Sequence, residues 1–109
     1  MAEMQRFVFA MLAVGALLTG ARAVPEVIVH QADRSFAPAR LAVARGTDIR
    51  FINDETIVHH AYVDSQGFSL DSGDIQPGGS AVLRFDREGR FLVRCAIHPK
   101  MRLDVDVSP

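Results

Sequence analysis

The sequence has no tryptophan, one tyrosine and, in 109 residues, one cysteine. A single cysteine cannot close an internal disulfide, so no covalent staple holds the fold. Lysine and arginine number 12 against 13 aspartates and glutamates, a formal net charge of -1. The marked basic excess of a nucleic-acid binder is therefore absent. No apolar run approaches the ~20 residues that a membrane-spanning helix needs. There is no internal repeat and no low-complexity stretch. Beyond residue 23 no segment sustains a 3.6-residue apolar period, which excludes a helical architecture.

The longest apolar run, Phe7 to Leu18, is twelve residues. It follows Arg6 and ends near Ala21-Arg22-Ala23, the pattern of a secretory signal peptide spanning residues 1–23 and cleaved after Ala23. There is no twin arginine and no cysteine near the cut. Export by the general route is expected, with a bacterial periplasm as the compartment, and no membrane association after cleavage. Residues 24–109 then form one domain. Without Arg6, Arg22 and Glu3 that domain carries ten basic and twelve acidic side chains. Domains this small often lean on a disulfide or a metal. An exported lone thiol, Cys95, is thus a buried inert residue, half of an intermolecular bridge, or a metal thiolate.

The domain is built of short β-prone runs between turn signals, the habit of a sandwich or barrel. Val27-Ile28-Val29 is apolar and β-branched. Leu41 and Val43 alternate with small residues before the turn Arg45-Gly46-Thr47-Asp48. Ile49, Phe51 and Asn53 alternate with Arg50 and Ile52, and a further run covers Val58 to Val63. Asp71 to Ser80, with Gly73, Pro77, Gly78 and Gly79, reads mostly as loop. Val82 to Phe85 and Phe91 to Cys95 flank Asp86-Arg87-Glu88-Gly89, which reads as a hairpin connection. Leu103, Val105 and Val107 alternate with Asp104 and Asp106 as a half-exposed last strand. Phe51, Phe85 and Phe91 are expected between two sheets.

Chemistry concentrates in Cys95-Ala96-Ile97-His98-Pro99-Lys100-Met101. A period of two from Phe91 turns Val93 and Cys95 to the same, inward face. Pro99 cannot continue a central ladder, so the chain leaves the sheet there and a loop can fold His98 and Met101 back toward Cys95. Soft thiolate and thioether donors favour copper, and imidazole suits both its oxidation states. Zinc would prefer four cysteine or histidine donors. A second imidazole comes from Asn53-Asp54-Glu55-Thr56-Ile57-Val58-His59-His60, with His59 standing 36 residues before Cys95. Either histidine of that pair is a candidate on these grounds.

These residues resemble a family, the small type 1 copper proteins or cupredoxins: plastocyanin, pseudoazurin and, above all, amicyanin. The resemblance covers nearly all of the domain. It includes Phe36-x-Pro38, Val43 with Gly46-Thr47, Phe51-x-Asn53, Pro77-Gly78-Gly79-Ser80 and Phe91 to Met101. The short Cys-x2-His-x2-Met loop with Pro99 after the histidine looks most like amicyanin. The resemblance implies an all-β Greek-key sandwich, one copper ion, and the ligands His59, Cys95, His98 and Met101. It also implies that His98 is the electron's exit, with Ala96, Ile97 and Pro99 as an apolar rim. The family usually has asparagine after the first histidine and glycine close behind the methionine; here His60, and Arg102 with Leu103, take those places.

The function expected from this resemblance is single-electron transfer between redox proteins, a dehydrogenase or a c-type cytochrome, by a monomer that is not an enzyme. A copper-delivery module and a structural domain without a redox role are the competing readings. Charge is uneven along the chain. Asp64 to Ser80 holds three acids and no base, whereas Ala81 to Arg102 holds six bases and two acids. Such runs are usually solvated faces, and that reading is preferred here to a docking surface for a charged partner.

Overall fold

Alternating apolar and polar residues leave a chain with one greasy side per strand, which two facing sheets bury. The computed structural model describes residues 23–109 and has this form. The proposed signal segment lies outside the described residues, apart from Ala23. The strands are β1 (Glu26–Ala32), β2 (Ser35–Ala37), β3 (Arg40–Ala44), β4 (Thr47–Asn53), β5 (His59–Ser65), β6 (Phe68–Ile75), β7 (Ser80–Phe85), β8 (Gly89–Arg94) and β9 (Arg102–Ser108). Among the described residues there is no helix.

One sheet has the order β2-β1-β4-β7 and the other β3-β9-β8-β5-β6. This is an all-β Greek-key sandwich, as expected. Links β2–β3, β3–β4, β4–β5, β6–β7 and β7–β8 all pass from one sheet to the other. Strands β1 and β4 run parallel, as do β3 and β9, and neither pair is consecutive in the chain. The core lies between the sheets. Thr47, Ile49, Phe51 and Asn53 of β4 are buried, and Leu103, Val105 and Val107 of β9 face them from the other layer. Phe51, Phe85 and Phe91 are in the core. Phe36 packs edge-on to Phe51 at 5.7 Å between centroids, and Phe68 stands 4.7 Å from Phe91.

Two expectations are corrected. Asp71 to Ser80 is not mostly loop: β6 continues through Ile75, whose buried side chain anchors it, and the true turn is residues 76–79. Side chains make up for the glycine there. The register of β5 and β6 shifts between His60 and Tyr62, and Ser72 Oγ accepts the Ala61 N–H in place of a backbone carbonyl. Nor do β7 and β8 form a hairpin. They lie in different sheets, and Phe85 and Phe91 meet across the core at 6.2 Å.

Four links gather at one end of the sandwich: β1–β2, β4–β5, β6–β7 and β8–β9. Backbone bonds tie the first three together, from Gly78 N–H to Asn53 C=O and from Asp54 N–H to Gln31 C=O. This end carries the site.

Candidate metal centre

Asn53 ends β4 and shapes the link to His59. Its amide is fully buried and donates to the carbonyls of Ile57 at 2.8 Å and Ile75 at 2.9 Å. Its Oδ1 accepts the Glu55 N–H at 2.9 Å. The five-residue link is thereby wound tightly, and β5 starts with His59 pointing inward at zero exposure.

Glu55 then orients that imidazole. Its Oε1 lies 2.8 Å from His59 Nε2 and accepts the Arg34 N–H at 2.7 Å. Arg34 and Asp33 form the two-residue β1–β2 turn, both at positive φ (54° and 52°), the geometry that suits a tight hairpin. The Arg34 N–H holds the Glu55 carboxyl below the usual range; burial opposes this, and the His59 ring N–H adds to it. With Nε2 donating to the carboxylate, the free lone pair of His59 is on Nδ1.

Cys95 follows β8 and shares the inward face of Phe91 and Val93, as the period of two requires. The chain then turns, with the Met101 N–H bonded to the His98 carbonyl at 3.0 Å. This brings His98 back over Cys95. One ligand atom from each of His59, Cys95 and His98 lies within 4.8 Å of the others. The two imidazole centroids are 4.9 Å apart. Met101, at the loop's end, is 1% exposed in the same core. Cys95 and His59 are buried, whereas His98 is partly exposed beside exposed Ala96, Ile97 and Pro99.

Nδ1 of His59 and Nδ1 of His98 are both buried without a hydrogen-bond partner. A buried polar atom left unpaired is costly, and two of them beside a buried thiol need a common partner. Their softness as a set suits copper. His60 is differently engaged. Its Nε2 lies 2.6 Å from Asp71 Oδ1, and its Nδ1 accepts the Ala96 N–H at 3.3 Å. His60 is not in the His59–Cys95–His98 group. It links β6 through β5 to the residue after Cys95. The Asp71 carboxyl is held low chiefly by the Gly73 N–H and then by His60.

Sequence reasoning passed over Glu55 and Asp71. Glu55 stands four residues before His59, a spacing that normally signals a helix face and carries no meaning in a loop. Asp71 sits in a segment that reads as turn.

A two-layer β protein in which two bare imidazole nitrogens, one from the start of β5 and one from the last interstrand loop, converge on a buried thiol has the build of a mononuclear metal-binding sandwich. No protein-family model matches the chain. It is 31% identical over 86 residues to the methylamine utilization protein MauL of Methylorubrum extorquens, covering 76% of this chain and 72% of that one. A reduced amicyanin variant superposes with a TM-score of 0.71 at 23% identity, over 80% of this chain and 86% of that one. The copper-containing nitrite reductase of Thermus scotoductus gives 0.71 at 27% identity, over 84% of this chain but 24% of that longer one. The chain belongs to the cupredoxins, the small type 1 copper proteins, and is amicyanin-like. Copper is its cofactor, and the His59–Cys95–His98 group is placed to hold it.

Proposed function

We propose that this protein is an exported electron carrier that holds one copper ion through His59, Cys95, His98 and Met101 and exchanges single electrons with other redox proteins. The observation that supports it most is the pair of buried, unpartnered Nδ1 atoms beside the Cys95 thiol. Copper in such a donor set supplies a one-electron couple between Cu(II) and Cu(I). The chain's own part is to hold the donors still. Glu55 orients His59, His60 and Arg94 hold the cysteine loop, and the core excludes water from Cys95. Four protein donors leave no open position for a substrate, which favours a carrier over an enzyme. Partly exposed His98, beside Ala96, Ile97 and Pro99, is the route by which electrons cross the surface.

Mature protein starting at Val24, acting as a monomer in the periplasm, completes this reading. Among the described residues no helix is long and apolar enough to cross a membrane. The name of the MauL relative supports a place in the utilization of methylamine or a similar small amine.

The test is a visible and EPR spectrum after adding one equivalent of Cu(II) to the purified domain. An intense blue thiolate-to-copper band with narrow copper hyperfine splitting is expected, and Cys95→Ser should abolish it. A colourless wild type, or a blue variant, overturns the assignment.

A further inference from the structure

The outer face of the five-stranded sheet is graded in charge along its length. Counted toward the metal centre, the outward pairs across β8 and β9 are Arg90 with Asp106, Leu92 with Asp104, and Arg94 with Arg102. In the first pair guanidinium and carboxylate stand 3.6 Å apart. In the second, Asp104 also faces Arg40 of β3. In the third, beside Cys95, two exposed arginines stand directly opposite each other. Like charges so placed weaken a strand pair. Exposed Lys100 adds a third cation on the intervening loop.

Among the described residues no carboxylate forms an ion pair with any of these three. Arg94 instead reaches the Pro99 carbonyl at 3.2 Å, which lays it along the copper loop. The same row continues through Tyr62 to Asp71 on β6. That carboxylate is already taken up by His60 and the Gly73 N–H. The β8–β9 side of the copper end is therefore cationic, and it adjoins Ala96, Ile97 and Pro99.

Charge runs are usually solvated faces, but solvation alone gives no reason to set Arg94 opposite Arg102 where the row of Arg90 and Asp106 pairs opposite charges. Uncompensated charge beside an exposed apolar rim is the arrangement that steers and orients a partner of opposite charge. We propose that Arg94, Lys100 and Arg102 form a docking surface for a redox protein bearing acidic side chains around its electron-exchanging edge, with the Ala96–Pro99 rim as the adjoining apolar contact. The proposal deepens the electron-carrier reading and rests on it.

The test is stopped-flow oxidation of the Cu(I) protein by two small c-type cytochromes, one acidic and one basic. One electron leaves the copper protein and reduces ferric haem to ferrous, and no bond is made or broken. The acidic cytochrome should react faster at about 10 mM salt and lose that advantage at about 200 mM, where the Debye length is shorter than the patch. A Lys100→Gln/Arg102→Gln variant keeps the Arg94–Pro99 contact and should lose about tenfold with the acidic cytochrome at low salt, while the basic one is unchanged or faster. Arg45→Gln/Arg87→Gln, at the opposite end of the sandwich, should change neither. Potassium hexacyanoferrate(III) at high salt reports the copper site alone. If wild type reacts with it, but prefers the basic cytochrome or is indifferent to the double substitution, the docking surface is overturned and the carrier reading stands. If wild type reacts with no oxidant, both fall.

Discussion

At the scale of the residue, the site depends on side chains that never touch the metal. Asn53 satisfies three backbone groups with one amide: the carbonyls of Ile57 and Ile75 and the N–H of Glu55. No other side chain of that size could replace it, because an aspartate would lack the two donors and a leucine would lack all three partners. Each buried group left unpaired costs about 1–3 kcal/mol. Asn53→Ala should therefore destabilise the fold by about 3 kcal/mol, read as a lower urea midpoint. The His59 loop should loosen with it, seen as faster amide exchange at Glu55. Glu55 acts one step closer: by accepting at Nε2 it determines which nitrogen of His59 remains free. His60 does the complementary task for the cysteine loop, anchored by Asp71 on one nitrogen and holding the Ala96 N–H with the other.

At the scale of the element, the sheet that carries no ligand bears paired charges across its strands. Asp48 of β4 and Arg84 of β7 are register partners, and the guanidinium meets both carboxylate oxygens, at 2.8 and 3.2 Å. The Arg84 hydrogen bond holds the Asp48 carboxyl below its ordinary value, burial opposing it and the charges of Arg84 and Arg50 helping. A group whose folded pKa is depressed contributes stability above its unfolded pKa, about 3.9, and loses it as pH falls through the folded value. Asp48→Asn should thus lower stability at neutral pH and flatten the loss that wild type shows below about pH 4. Urea melts at both pH values check it; equal slopes for the two proteins would refute it. The β7–β8 crossover depends on Gly89 at φ 142°, where a Cβ would lie 3.2 Å from the Phe91 ring. That ring must stay where it is, since it closes the core against Phe68 and Phe85.

At the scale of the whole molecule, the metal centre joins parts that the ladders join weakly. Strands β5 and β8 share the single register pair of Tyr62 and Arg94 at this end. Of the grouped donors, His59 comes from β5, while Cys95 and His98 come from the β8–β9 link. A ligand bound only by the folded state stabilises it by about 2.7 kcal/mol at a hundredfold excess over Kd. In a domain of this size that corresponds to a rise in Tm on the order of 10 °C. Calorimetry with and without copper should show it, and Cys95→Ser should erase most of the difference. Equal Tm values for the two forms would mean that copper does not bind the folded state in preference to the unfolded one, and would overturn the prediction.

Much of this was legible in the chain. Alternation marks which face of each strand is apolar, so the inward direction of Cys95, the burial of Phe51, Phe85 and Phe91, and the all-β class all follow from local pattern. The donor types within Cys95–Met101 are likewise local, and a thioether beside thiolate and imidazole directs them to copper rather than zinc. What alternation cannot say is which sheet a strand joins. A turn-rich link such as Asp86–Gly89 suits a hairpin and a crossover equally, and only packing of Phe85 against Phe91 across the core decides between them. Donor chemistry alone leaves both His59 and His60 open; the resemblance, through the spacing from Asn53, selects His59, and the structure groups that residue with the thiol. Neighbouring residues on a strand point to opposite faces, and the long-range register of β5 shows which of them faces the thiol. The opposition of Arg94 and Arg102 arises in the same way. In the sequence they are separate charges among many, and the antiparallel register of β8 and β9 makes them neighbours beside the copper loop.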